Sequence, residues 1–246
     1  MRIGVLSDVH ANLPALEAVL AEMARLKPDL IVNLGDCAAG PLWPAESVEL
    51  LRSQPMSHVR GNHDRAMGQA TPEGLGTSDR FAWQELDAEA RHWLGTLPTE
   101  IMVGGARCFH ACPETDLAYL MEEVHDARLM PSAIATIEGR LGEPGARLLL
   151  CGHSHQPRIV RLSSGALIVN PGSVGCPAYG EAVSPGHASE SGAPHARFAI
   201  VTLDEGEVAC ELHAVAYEWE SAARRAETNG RPEWAHALRT GTVVRS

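Results

Sequence analysis

The chain has 246 residues, of which 45% are hydrophobic, 21% charged and only 4% aromatic, and its formal net charge is -11. That composition suits a soluble globular protein with a core of Leu, Val, Ile and Ala. The negative balance speaks against general binding to nucleic acid or to anionic membrane, since counterion release needs a basic face.

The cysteines, Cys37, Cys108, Cys112, Cys151, Cys176 and Cys210, form no C-x-x-C and are irregularly spaced. They read as reduced thiols of a cytoplasmic protein. The apolar residues ahead of Asp8 are too few for a signal-peptide core. No apolar run approaches the roughly 20 residues of a membrane span.

In chain order, residues 2–7 (RIGVLS) predict a buried strand that ends at Asp8-Val9-His10. Pro14 suits the first turn of a helix capped by Asn12 or Leu13, with Leu16, Val19, Leu20, Met23 and Leu26 at helical spacing. Residues 30–34 predict a second strand, ending at Gly35-Asp36, and 45–54 a short helix. A brief strand at 58–60 leads into Gly61-Asn62-His63-Asp64. Residues 66–77 are rich in Gly, Thr and Pro and predict a loop, and 78–94 predict one helix. Segments 100–103 and 107–110 flank Gly104-Gly105 as a hairpin, whose second strand ends at His110. Helical segments are expected within 113–142, most clearly at 132–141. The run 148–151 (LLLC) predicts a buried strand ending at Gly152-His153-Ser154-His155. Residues 158–162 and 166–170 form another hairpin around Ser163-Ser164-Gly165, running into Asn170-Pro171-Gly172-Ser173. A mobile loop is expected at 180–196. Strands at 197–203 and 208–215, joined by Asp204-Glu205-Gly206, precede C-terminal helices. No internal repeat or linker divides the chain, so residues 1–246 read as a single domain.

Apolar strands thus end repeatedly in short polar clusters: Asp8-Val9-His10, Gly35-Asp36, Gly61-Asn62-His63-Asp64, His110, and Gly152-His153-Ser154-His155. Carboxylate, imidazole and amide groups together suit Mn, Fe or Zn. The D-x-H and H-x-H spacings put two side chains on one face of an extended segment. In α/β sheets, sites gather at the carboxyl ends of strands.

This ordered set resembles the calcineurin-like metallophosphoesterases, and within them the small bacterial and archaeal phosphodiesterases. Ser7-Asp8-Val9-His10-Ala11-Asn12 and Val169-Asn170-Pro171-Gly172-Ser173-Val174-Gly175 strengthen the resemblance. It implies an α/β fold, a four-layer αββα sandwich of two mixed β-sheets flanked by helices. It also implies two transition metal ions (Mn, Fe or Zn). The first would be held by Asp8, His10, Asp36 and His155, and the second by Asp36, Asn62, His110 and His153, with Asp36 bridging. His63 falls at the position of the family's general acid, protonating the leaving group as a hydroxide between the ions attacks phosphorus in line. The substrate would be a small phosphoester, a nucleotide among the candidates. Dinucleoside polyphosphate hydrolysis and phosphomonoester hydrolysis are alternatives on the same site. Self-association is left open.

Two features depart from the family pattern. Ala111 follows His110 where a glycine is usual, and Gly35-Asp36-Cys37-Ala38-Ala39-Gly40 lacks the G-D-x-x-D-R-G of the large protein phosphatases. The second departure leaves His63 without its usual carboxylate partner. Asp64 reads as a cap for the following segment. Asn12 either hydrogen-bonds substrate phosphate or caps its helix. His58, His92, His125, His213 and His236 read as surface or satisfied groups, and His187 and His195 fall in the expected loop, where a third metal contact is the disfavoured alternative. A metal-binding His63-Asp64 pair of the HD type is disfavoured by the strand and glycine ahead of it. A protein-association scaffold, as in the retromer subunit of this fold, would be expected to have lost the residues that are all present here.

Overall fold

The computed structural model describes residues 1–69, 71–182, 186–204 and 207–244. The first half alternates strand and helix: β1 (Arg2–Leu6), α1 (Leu13–Leu26), β2 (Leu30–Asn33), α2 (Pro44–Ser53), β3 (Ser57–His58), α3 (Asn62–Gln69), α4 (Thr77–Glu85) and α5 (Ala88–Thr96). The hairpin β4 (Glu100–Val103) and β5 (Ala106–Phe109) follows, then a second hairpin, β6 (Glu122–His125) and β7 (Arg128–Pro131). Next come α6 (Ile134–Leu141), β8 (Leu148–Leu150), β9 (Arg158–Arg161), β10 (Leu167–Asn170), β11 (Ala178–Glu181) and β12 (His187–Glu190). The chain closes with β13 (Ala196–Asp204), β14 (Glu207–Val215), α7 (Trp219–Thr228) and α8 (Pro232–Thr240).

The fold is mixed α/β with three mixed sheets, ordered β14-β13-β1-β2-β3, β4-β5-β8-β10-β9 and β11-β12-β7-β6. In the first, β1, β2 and β3 run parallel. In the second, β5, β8 and β10 do. Parallel strands covered on both faces carry continuous apolar runs, and β8 and β10 are buried at every residue. One core cluster takes Ile3, Val5 and Val32 from the first sheet and Cys108, Leu150 and Val169 from the second, so these two sheets face each other. Helices α1, α2, α4 and α5 cover the outer face of the first sheet. Ile137 and Leu141 of α6 pack with Leu149 and Ile168 on the outer side of the second.

The third sheet was not expected. Its hairpin β6–β7 lies where helical segments were predicted, and only α6 within 113–142 is helical. The hairpin turns on Asp126 and Ala127, both at positive φ (45° and 59°), as a two-residue reverse turn of this kind requires. Strands β11 and β12 occupy part of the predicted loop 180–196, where β12 finds a partner in β7; residues 183–185 lie outside the described residues. So do Glu205 and Gly206 of the expected β13–β14 turn.

The helix predicted at 78–94 is two helices, because Asp87 caps the second by accepting from the Ala90 N–H at 2.7 Å. Residues 66–69, predicted as loop, complete α3. No helix among the described residues is long and apolar enough to cross a membrane, and all six cysteines are unpaired.

Candidate metal centre

Parallel pairing brings the carboxyl ends of β1, β2 and β3 together on one sheet and those of β5 and β8 together on the facing one. The loops beyond them carry the predicted residues, laced together by backbone bonds. Asp8 N–H donates to Gly35 O at 2.9 Å and His10 N–H to Asp36 O at 3.0 Å. Gly152 N–H donates to His110 O at 2.7 Å, and Gly175 N–H to Asp8 O at 3.0 Å. Asp8, His10, Asp36, His153 and His155 all stand at positive φ, from 48° to 67°. Such conformations are costly for residues with a Cβ and collect at functional sites. Two glycines allow the loops to close in: a Cβ on Gly61 would fall 2.0 Å from Asp36 Oδ1, and one on Gly152 1.9 Å from Ser7 Oγ.

The side chains form two groups whose potential ligand atoms lie within 4.8 Å of one another: Asp8, His10 and His155, and Asp36, His110 and His153. Asp8, His10, Asp36, His110 and His155 are at most 5% exposed. Asn62 joins the second group, its Oδ1 3.1 Å from His110 Nε2. His110 Nε2 is also 3.2 Å from Asp36 Oδ2.

Backbone carbonyls fix the imidazoles. Nδ1–H of His10, His110 and His155 donates to Ala39 O (2.6 Å), Leu34 O (2.8 Å) and Cys176 O (2.8 Å). Each Nε2 is thereby left as the group that faces inward, the arrangement by which outer-shell partners orient metal-binding histidines. His153 reverses the pattern, its Nε2 lying 3.2 Å from Leu117 O. The Leu117 carbonyl can only accept, which leaves Nδ1 as the inward lone pair. Burial, aided by neighbouring imidazoles, lowers both His10 and His153 to about 4, so both rings are neutral near pH 7. Burial works to raise Asp8, but His155 outweighs it and takes the carboxyl down to about 2.

This donor set fits cations. His10 Nε2 and His155 Nε2 face each other at 3.1 Å, each with its other nitrogen already bonded to a carbonyl. Asp8 Oδ1 is buried with no hydrogen-bond partner and lies 3.4 Å from His155 Nε2. A carboxylate oxygen and two imidazole nitrogens converging in a buried place suit an ion site.

His63 stands beside the groups, its ring 5.5 Å from that of His10. Its Nδ1 lies 2.7 Å from Asp79 Oδ1, so the carboxylate partner that sequence alone did not supply comes from the first turn of α4. Burial disfavours the charged ring, but Asp36 and the Asp79 hydrogen bond outweigh it and raise His63 to about 10.

Asp64 does more than cap. Buried, it accepts from the backbone N–H of Gly61 (2.9 Å), Asp36 (2.8 Å) and Cys37 (2.9 Å), joining the β2 and β3 loops. Asn12 is fully buried with its amide committed: Oδ1 accepts from Ala15 N–H at 3.3 Å, and Nδ2 donates to Gly175 O (2.9 Å) and Tyr217 Oη (3.0 Å). These contacts describe a helix cap that braces a loop, the alternative to a phosphate contact.

The third sheet grips the loop that carries His153 and His155. Ser154 donates its hydroxyl to Glu122 of β6, and its carbonyl accepts from Ser189 of β12 at 2.7 Å. Glu122 is 2% exposed and also accepts from Arg158 Nε at 2.9 Å. The rings of Tyr119 and Tyr179 contact His153 and His155. Tyr119, Glu122 and Ser189 did not stand out in the sequence, because their segments were expected to be helix or loop.

Comparison with known proteins bears on the chain as a whole. A model of the calcineurin-like phosphoesterase superfamily domain matches residues 1–206. An uncharacterized protein from Methanocaldococcus jannaschii is 28% identical over 257 residues, spanning 94% of this chain and 94% of its own. The crystal structure of a metallophosphoesterase from Sphaerobacter thermophilus matches with a TM-score of 0.72 at 30% identity, covering 98% of this chain and 99% of that one. A hypothetical protein from Pyrococcus horikoshii shares the fold with a TM-score of 0.76 at 20% identity, each chain covered to 99%.

Proposed function

Because the chain belongs to the calcineurin-like phosphoesterase superfamily, and is thus a phosphoester hydrolase, we propose that it is a phosphodiesterase acting on a small phosphoester through two transition metal ions. Asp8, His10, Asp36 and His155 would hold a first ion, and Asp36, Asn62, His110 and His153 a second. The observation that carries this reading is the pair of Asp/His groups whose potential ligand atoms converge within 4.8 Å, with five of the six residues buried. Mn, Fe and Zn all suit such a mixed oxygen and nitrogen set. Ions held there supply Lewis acidity toward a phosphoryl oxygen and a water of lowered pKa.

The chain's own residues do the rest. His63 donates a proton from Nε2 to the leaving oxygen, while its Nδ1–H, held by Asp79 at 2.7 Å, fixes the ring's direction. A diester's alkoxide is a poor leaving group, so this proton matters more there than for an acidic phenol. Asp64 keeps the β2 and β3 loops at a fixed spacing, and with them Asp36 and Asn62. The carbonyls of Ala39, Leu34 and Cys176 hold three imidazoles in register.

The test is a metal-reconstituted screen of bis-p-nitrophenyl phosphate, p-nitrophenyl phosphate, cyclic nucleotides and dinucleoside polyphosphates, with His63→Ala beside the parent protein. Diester hydrolysis that exceeds monoester hydrolysis is expected, with the loss in the variant largest on the alkoxide-leaving diesters of the panel, the cyclic nucleotides, and small on bis-p-nitrophenyl phosphate. Full activity of the variant on an alkoxide-leaving diester rules out the acid role. Preference for the monoester or for a dinucleoside polyphosphate replaces the substrate class.

A further inference from the structure

Two of the chain's three tyrosines stand over the candidate metal centre. Tyr119 stacks on His153 with ring centroids 5.0 Å apart, and Tyr179 meets His155 edge-on at 4.7 Å. Their hydroxyl oxygens lie 2.8 Å apart, and Tyr119 Oη is also 2.7 Å from His187 Nε2. The cluster is built by the third sheet, Tyr179 on β11 and His187 on β12, with Tyr119 just ahead of β6. All three residues are half-buried, at the boundary between protein and solvent.

A count of protons limits what the cluster can do. Tyr119 has one hydroxyl proton and two neighbours. If it donates to His187, Tyr179 donates inward to Tyr119, and both phenolic protons stay within the cluster. If His187 carries its proton on Nε2, that proton goes to Tyr119 Oη. Tyr119 then donates to Tyr179, and the Tyr179 proton is left with no acceptor in the cluster. A phenol keeps its proton near pH 7, so Tyr179 is a donor there. A Phe would fill the same space beside His155; the hydroxyl adds only the ability to donate.

We propose that the Tyr179 hydroxyl donates to a non-bridging phosphoryl oxygen of the substrate on the His155 side of the centre, with Tyr119 and His187 as positioning residues that free its proton. The substrate class this selects is a phosphoester whose reacting phosphate presents a negatively charged oxygen there. The inference rests on the phosphoesterase reading above.

The experiment uses the full chain loaded with Mn²⁺ and compares the parent protein with Tyr179→Phe. Metal content, thermal midpoint, affinity for inorganic phosphate, and KM and kcat on bis-p-nitrophenyl phosphate are measured on the same samples. The expected result is unchanged metal content and midpoint with phosphate affinity weaker by about tenfold, the scale of one hydrogen bond to a charged group. KM should rise more than kcat falls. Equal phosphate affinity in the two proteins, or none in either, overturns the proposal. Loss of metal in the variant also overturns it, because Tyr179 would then be a strut for His155. A parent protein that binds phosphate yet hydrolyses no phosphoester defeats the hydrolase reading and leaves this one to be decided by the affinity ratio.

Discussion

Asp79 sits 2.7 Å from His63 Nδ1, though 16 residues separate the two in sequence. The contact does what a carboxylate does behind any catalytic imidazole: it selects the tautomer and aims the other nitrogen. Asp79→Asn should therefore lower kcat on diesters by about 10- to 100-fold, less than the 10²–10⁴ of general acid catalysis as a whole, because the imidazole itself stays in place. Metal content should stay that of the parent. The loss should be larger for an alkyl leaving group than for p-nitrophenol, which departs without a proton. A uniform loss across leaving groups would contradict the role.

The proposed sharing of Asp36 has its own test. Asp36→Asn should cost both ions by elemental analysis, since the amide removes a negative charge that both sites use. Retention of one full equivalent would mean that Asp36 belongs to a single ion. Asp8→Asn, by contrast, should lower the metal content by about one equivalent, a difference within reach of the same measurement.

Glu122 never approaches the centre directly but holds Ser154 between two of its histidines. Outer-shell partners of this kind are worth about 10- to 100-fold in metal affinity. Glu122→Ala should weaken binding on that scale in a chelator-competition titration, and Glu122→Gln, which can still accept from Ser154, should recover most of it. Equal affinity in all three proteins would remove the third sheet from the metal site's support.

His58 predicts a pH effect away from the centre. Burial lowers it from 6.5 to about 4, and Asn33 Nδ2 donates to its Nδ1 at 3.3 Å. The unfolded chain therefore binds the proton more tightly than the folded one, and stability falls as pH drops from about 6.5 toward 4. The contribution is at most about 3 kcal/mol by linkage. His58→Gln should flatten this part of the profile in urea midpoints measured across the range. Parallel profiles for the two proteins would contradict it.

The polar clusters were legible because D-x-H, G-D, G-N-H-D and G-H-x-H stand in short spans just past apolar strands, and the fold gathers their Asp and His side chains in two groups. Asp79 was not, since an acid in the first turn of a helix is what any helix prefers. The β6–β7 hairpin was hidden by its turn: Asp126-Ala127 carries no glycine although both residues need positive φ. The segment of β11 and β12 has the composition of a loop, and its strands exist because β7 offers an edge to pair with. The role of Asp64 depended on three N–H groups from two different loops, a convergence that spacing cannot express.

The left-handed backbone at Asp8, His10, Asp36, His153 and His155 has a consequence for attempts to engineer this protein. Each such residue costs roughly 1–2 kcal/mol relative to relaxed backbone. Together they approach the whole net stability of an ordinary domain, about 5–15 kcal/mol. Glycine at any of these positions would relieve the local cost and delete a proposed ligand in the same step. Selection for heat resistance alone, in the absence of ions, would wear away the centre first, and selection in their presence would preserve it.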